Sequence, residues 1–268
     1  MTQARAYADG KMLASVEDGI GFVTFNQPEK RNAMSIAMWD GLGEILDAFA
    51  SDDGVRVVVL SGAGDKAFVS GADISQFEKS RSNADAQREY GRRTSAGRDK
   101  LANFPKPVIA RIRGFCLGGG LGIAMLADLR IAAEGSTFGI PAARLGIAYG
   151  PDMTSRLVDL VGPAEARMIL YTGARIEAGE ALRIGLVNRV VPAEALDATV
   201  RDLAATLAAN APLSLRASKT VIEQVVRDES ERDAAVIEAA IQACFDSADY
   251  REGRTAFMEK RRPAFTGH

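Results

Sequence analysis

The chain has 268 residues, 47% of them apolar and 25% charged, so it can bury a full core without help from a metal or disulfides. Its formal net charge of −2, with no run of like charge, gives no global basic field for nucleic acid and no charged tail. Cys116 and Cys244 are too few and too far apart for a disulfide framework or a metal motif, and the only histidine, His268, ends the chain, which excludes Ser-His and Cys-His chemistry. Residues 1–11 lack the apolar core of a signal peptide. The longest apolar stretch, residues 114–127, is glycine-rich and too short to span a bilayer. A soluble, cytoplasmic protein that binds neither nucleic acid nor membrane is expected.

In chain order, residues 13–17 and 21–26 read as two strands around an Asp18-Gly19 turn. Ser35 is placed to cap a helix in which Met38, Leu42, Ile45 and Phe49 recur at helical spacing. Residues 56–60, 108–112 and 129–132 are short apolar runs with helical or irregular connections, an α/β pattern. Gly62, Gly64 and Ala67 match a loose dinucleotide fingerprint, but residues 67–71 read as extended chain where a Rossmann site needs a helix to open. The basic residues crowded between Arg81 and Lys100 read as a solvated helix face or loop. Beyond Pro151 the pattern turns helical: Gly162-Pro163 separates two helices, Gly173 and Gly185 are C-cap candidates, and residues 186–191 allow one more strand. Leu196, Val200, Leu203 and Leu207 form one apolar stripe, and Ile237, Ile241 and Cys244 another. Both stripes need a cover.

The informative stretch is residues 106–150. A short strand leads through a bend at Gly114 to the triplet Gly118-Gly119-Gly120 and an apolar helix carrying Leu121, Ile123, Met125 and Leu126. Glycines permit a sharp turn and close approach, and the free N–H groups at a helix start suit an anion or a polarised carbonyl oxygen. Earlier in the chain, Gly71-Ala72-Asp73 forms a turn, with Asp73 and Gln76 at capping-box spacing for another helix. Two backbone donors from separate helix starts converging on one point would make an oxyanion hole.

Gly71-Ala72-Asp73-Ile74, the run from Lys106 into Leu117-Gly118-Gly119-Gly120, Asp128, and Phe138-Gly139-Ile140-Pro141 followed by Arg144-Leu145-Gly146 together resemble the enoyl-CoA hydratase/isomerase (crotonase) family. The resemblance extends from Phe25 through Asn32-Ala33 to Phe257 and Arg261. It implies a crotonase-like spiral of β-β-α repeats over residues 1–192 and a C-terminal helical region, residues 193–268, that builds a homotrimer, often doubled to a hexamer. It also implies an acyl-CoA substrate whose thioester oxygen is held by the N–H groups of Ala72 and Gly119. No separate cofactor or metal is implied, coenzyme A being part of the substrate.

For the coenzyme, the resemblance places Lys30, Arg31 and Ala33, and the turn Ser70, Asp73 and Ile74, around adenine and pantetheine. Leu117, Pro141, Ala142, Arg144 and Leu145 join the substrate-binding set. Phe257 and Lys260 are placed against the nucleotide of a neighbouring subunit, and Lys30 and Lys260 can each meet a phosphate as a point charge. The family's hydratases add water with two glutamates, and those positions here are Gly122 and Ala142, neither of which moves a proton.

Three side chains are in range as substitutes. Tyr149 occupies a place where decarboxylases of this family carry a tyrosine; it either serves an enolate or packs as an amphipath with its hydroxyl in water. Asp152 either supplies an acid or caps the next helix. Arg144 either pairs with a substrate carboxylate or ties its loop to Asp128 or Glu134. Cys116 reads as a buried filler. The reading that follows is an acyl-CoA lyase or isomerase forming an enolate, with decarboxylation or isomerisation favoured over rapid hydration. The alternatives are a hydratase that recruits Asp152 or Tyr149, and a non-catalytic acyl-CoA-binding protein.

Overall fold

The structure, a computed structural model, describes residues 4–73 and 84–268. Strands β1 (Arg5–Tyr7), β2 (Met12–Glu17) and β3 (Ile20–Phe25) form an antiparallel meander. Asp18 and Gly19 both have positive φ, 50° and 80°, which the tight turn between β2 and β3 demands. Helix α1 (Ile36–Ser51) follows, and Ser35 caps it by accepting from the Met38 N–H at 3.2 Å.

The chain then alternates between two sheets. Strands β4 (Val57–Gly62), β6 (Val108–Ile112), β8 (Leu129–Ala133) and β11 (Arg189–Val191) extend the first sheet in parallel, giving the order β1-β2-β3-β4-β6-β8-β11. Strands β5 (Ala67–Val69), β7 (Phe115–Leu117), β9 (Thr137–Gly139) and β10 (Ile176–Glu177) make the second, in the order β10-β9-β7-β5. Helices α2 (Ala84–Ala102), α3 (Gly119–Leu126) and α4 (Pro151–Thr172) come after successive strand pairs. This is the repeating two-strand, one-helix spiral that the resemblance implied. Gly162, at φ 75° and ψ 164°, breaks α4 just before Pro163, as the dipeptide predicted.

Period-two alternation explains why the parallel strands read as unbroken apolar runs. Val58 and Leu60 face the core shared with α1 and α3, whereas Val57 and Val59 face the opposite side. There α6 (Leu196–Ala209) seals the sheet with Leu196, Val200, Ala204 and Ala208, after the short α5 (Ala178–Arg183). The helical region expected from residue 193 thus opens with a helix that covers the sheet. Helices α7 (Pro212–Val225), α8 (Ala234–Asp246) and α9 (Ala248–Glu259) complete the chain. Among the described residues the stripe on α8 is only partly covered: Ile237 and Cys244 are half-buried, while Ile241 is exposed, with Phe245 exposed beside it. Among the described residues no helix is long and apolar enough to cross a membrane.

Candidate active site

Three segments distant in sequence meet at one edge of the second sheet. The loop after β3 is pinned by Asn32, fully buried, whose amide donates to the carbonyls of Ala63 at 3.0 Å and Ala67 at 2.8 Å and whose oxygen accepts from Gln27 N–H at 3.0 Å. The turn after β5 binds to this loop through its backbone. Ser70 N–H donates to Arg31 C=O at 3.1 Å, Met34 N–H to Gly71 C=O at 2.8 Å, and Asp73 N–H to Met34 C=O at 2.9 Å. In this ladder the N–H of Ala72 turns away from Met34. Lys30 adds an ion pair to Asp73 at 2.8 Å.

The glycine triplet brings α3 against that turn. Gly118, at φ 52° and ψ −120°, makes the bend from β7 into the helix. Gly120 allows the close approach: a Cβ there would lie 2.0 Å from the Val69 carbonyl oxygen. Gly119 ends up beside Ala72, since its own Cβ would lie 4.0 Å from the Ala72 nitrogen. Among the described residues neither of these two N–H groups donates to a backbone carbonyl.

Both residues line a cavity of about 250 Å³. Met34 and Trp39 close it from the α1 side, Tyr90, Thr94 and Arg98 from α2, Gly122 from α3, and Ile147, Ala148, Tyr149, Gly150 and Met153 from the loop into α4. Tyr90, Thr94 and Arg98 share one face of α2 because they lie four residues apart. Burial pushes the Tyr149 phenol up to about 12, against the opposing pull of Arg98 and with a smaller rise from Cys116. Tyr149 is therefore protonated at neutral pH and can donate. The described lining contains no carboxylate and no imidazole. It offers two amides for an oxygen, a phenol and a guanidinium, and no ordinary base for activating water.

The other residues singled out in the sequence lie around this centre or away from it. Asp73 and Ala33 are buried, while Arg31 lies over the Phe115 ring with its guanidinium carbon 5.2 Å from the centroid. Ile74 and Gln76, and with them the capping box, lie outside the described residues. Leu117 ends β7, and Pro141, Ala142, Arg144 and Leu145 form a short 3-10 turn after β9, with Ala142 buried and Leu145 exposed. Phe257 and Lys260 sit at the end of α9, Phe257 exposed on a separate groove of about 530 Å³. Cys116 is fully buried, and burial pushes its thiol up, so it is an inert filler.

Two expectations need correction. Asp152 does not cap α4: Gly150 is the cap residue, Pro151 takes the first helical position, and Asp152 is exposed in the first turn, where a negative charge suits the helix dipole. Arg144 ties its loop neither to Asp128 nor to Glu134. Its Nε donates to the Thr172 carbonyl at 3.2 Å at the C-terminus of α4, its stem passing over Gly173, where a Cβ would meet Arg144 Cγ at 3.1 Å. Asp128 instead accepts from Val108 N–H at 2.7 Å and pairs with Lys219 at 3.1 Å.

The family described as enoyl-CoA hydratase/isomerase matches this chain over residues 15–268. The chain belongs to that family. A short-chain-enoyl-CoA hydratase from Clostridium acetobutylicum is 37% identical over 251 residues, 94% of this chain and 95% of that protein. A crotonyl-CoA hydratase from Syntrophomonas wolfei is 39% identical over 257 residues, covering 95% and 97%. Among solved structures, an enoyl-CoA hydratase/carnithine racemase from Magnetospirillum magneticum matches with a TM-score of 0.92 and 37% identity over 96% of each chain.

Membership in the enoyl-CoA hydratase/isomerase family makes this an acyl-CoA enzyme fold of two mixed sheets and C-terminal helices. Within it, sequence reading missed Trp39 and Met153 as cavity residues, and expected the stretch from Glu78 to Arg98 to line the pocket without singling out Thr94 or Arg98. The four-residue spacing of Tyr90, Thr94 and Arg98 was a usable signal. It was hidden by the other charges of α2, which made the whole helix look solvated.

Proposed function

We propose that this enzyme stabilises a thioester enolate between the N–H groups of Ala72 and Gly119 and resolves it by decarboxylation or isomerisation rather than by rapid hydration. The observation that carries this reading is the composition of the cavity wall: two unspent amides and no carboxylate among the described lining residues. An enolate oxygen gains most from preorganised donors in a site that excludes water, each donor being worth about 10² to 10³ in kcat. Hydration needs in addition a group that takes a proton from water, worth about 10² to 10⁴. Gly122 and Ala142 stand where the resemblance puts the hydratase glutamates. Loss of CO₂ needs no base, because breaking the carbon–carbon bond itself delivers the electron pair to the enolate, whereas isomerisation needs a group to take the α-proton and is expected to be slow here. The neutral Tyr149 phenol then protonates the carbon or steers the departing carboxylate. Lys30 with Asp73, Arg31, Ser70 and the Pro141–Leu145 turn make up the proposed coenzyme-binding rim. A trimer or hexamer covering the exposed stripe of α8, with Phe257 and Lys260 serving a neighbour's nucleotide, belongs to the same reading.

Hydration is the second reading, favoured by the relatives described as short-chain-enoyl-CoA and crotonyl-CoA hydratases. It would require Tyr149 or Asp152 to replace the glutamates, yet Asp152 is exposed and absent from the cavity wall. The test is to incubate the protein with malonyl-CoA, methylmalonyl-CoA and 3-enoyl-CoA thioesters and follow CO₂ release or double-bond migration by mass spectrometry. Turnover that Gly119→Ala suppresses is the expected result. Binding without turnover of any of these would instead leave the non-catalytic acyl-CoA-binding protein as the better description.

A further inference from the structure

Helix α2 carries five cationic side chains, and four of them are paired: Arg88 with Asp85, Arg92 with Glu89, Arg93 with Asp40 and Lys100 with Asp47. The fifth, Arg98, is the one that faces the cavity. Among the described residues it forms no ion pair, and its one hydrogen bond is to the Ser95 hydroxyl at 2.8 Å. The cavity offers it nothing better. Thr94, its polar neighbour on that face, spends its hydroxyl on the carbonyls of Tyr90 at 2.9 Å and Gly91 at 3.1 Å. The remaining wall is largely apolar, with Met34, Trp39, Ile147 and Met153.

A guanidinium that is partly buried, lines a substrate-sized cavity and, among the described residues, has no carboxylate beside it is suited to recognise one. We propose that Arg98 receives a carboxylate carried on the acyl chain, so that the enzyme's substrate is a CoA thioester whose chain ends in a carboxylate rather than in the methyl group of a simple fatty acid. This rests on the acyl-CoA reading of the cavity given above. The planar fork of arginine matches a carboxylate with two parallel N–H···O bonds, which a methyl-ended chain cannot satisfy.

The carboxylate held by Arg98 is one that stays on the substrate, so a substrate that loses CO₂ carries a second free carboxylate beside the thioester, and one whose only free carboxylate is held by Arg98 undergoes double-bond migration. A carboxylate leaving as CO₂ must release its electron pair to the enolate, and a paired guanidinium would hold that charge back. The retained group lies further along the chain, where its binding energy serves to orient the reacting carbons under the Ala72 and Gly119 amides.

The experiment is titration calorimetry of wild type, Arg98→Met and Arg98→Lys with glutaryl-CoA, pentanoyl-CoA and free CoA. Wild type is expected to prefer glutaryl-CoA over pentanoyl-CoA by about ten- to a hundredfold, the span of a charge-assisted hydrogen-bonded pair. Arg98→Met should erase that preference while leaving pentanoyl-CoA and CoA affinities unchanged, and Arg98→Lys should keep part of it. Because pentanoyl-CoA binding reports folding, a misfolded variant is recognised at once. Equal or better wild-type binding of pentanoyl-CoA overturns the inference and leaves the acyl-CoA site standing. An equal loss of CoA affinity in Arg98→Met also overturns it, showing that Arg98 serves a coenzyme phosphate. Failure of wild type to bind either thioester overturns the site reading and this inference with it.

Discussion

The backbones of Gly119 and Ala72 meet on the cavity wall, with a Cβ built on Gly119 reaching 4.0 Å from the Ala72 nitrogen. That distance is ordinary contact, so an added methyl fits without strain but stands beside the two amides. Gly119→Ala is therefore expected to fold with unchanged or slightly higher stability, since alanine is the better helix residue. Alanine keeps the backbone N–H at this position, so the expected fall in kcat reports the methyl displacing the oxygen from the pair of amides, up to about the 10² to 10³ that one donor is worth. Thermal unfolding and steady-state kinetics on the same preparation check both halves. Full activity would show that the methyl does not crowd the reacting oxygen, and Ala72→Pro, which deletes the Ala72 N–H, then tests the pair of amides, with thermal unfolding beside it to check the fold.

Gly120→Ala should behave in the opposite way. Its Cβ would meet the Val69 carbonyl oxygen at 2.0 Å and the Val69 Cβ at 2.8 Å, and a backbone oxygen cannot swing aside. The start of α3 would be forced off β5 at a cost of about 1 to 3 kcal/mol or more. Denaturant unfolding should show a lowered midpoint, with activity lost together with the fold.

Tyr149 should act as a neutral donor over the whole neutral range. Burial raises its folded pKa from 10.0 to about 12, so its contribution to stability is fully present below pH 10.0 and is lost as pH rises toward about 12. Tyr149→Phe removes that titration, and its stability should fall less steeply than that of wild type above about pH 10. In turnover, Tyr149→Phe should cost about 10² or more if the phenol delivers a proton. The wild-type rate should show no basic limb assignable to Tyr149 below about pH 10. Unchanged turnover in Tyr149→Phe would leave the residue as a packed amphipath.

Restoring carboxylates should create hydration. A Cβ at Gly122 would touch only the Met153 sulfur at 3.4 Å, which a flexible thioether can yield. Gly122→Glu combined with Ala142→Glu is expected to raise water addition to crotonyl-CoA by about 10² or more over wild type. A folded double variant with no gain would argue that the glutamate positions are not what separates this chain from the hydratases.

The frame of the fold was legible because its signals are local. Asp18-Gly19, the Ser35 cap, the Gly162-Pro163 break and the two-sided apolar strands each follow from a few neighbouring residues. The approach of the triplet to the turn at Ala72 was legible because consecutive glycines allow little else than a close joint. The role of Arg98 was not, since its meaning lies in which of α2's cations pairs with no carboxylate among the described residues, and the partners Asp40 and Asp47 come from a different helix. Arg144 and Asp152 failed for related reasons. A carbonyl at a helix end competed with distant carboxylates for Arg144, and Pro151 set the helix start before Asp152 could cap it.

The most direct test of the central claim is mass-spectrometric detection of water addition to crotonyl-CoA by the purified wild-type protein, beside a no-enzyme control. An enolate site without a carboxylate base predicts no rapid addition, only a rate close to the control. Rapid addition would contradict the account and make Asp152 and Tyr149 the first residues to replace.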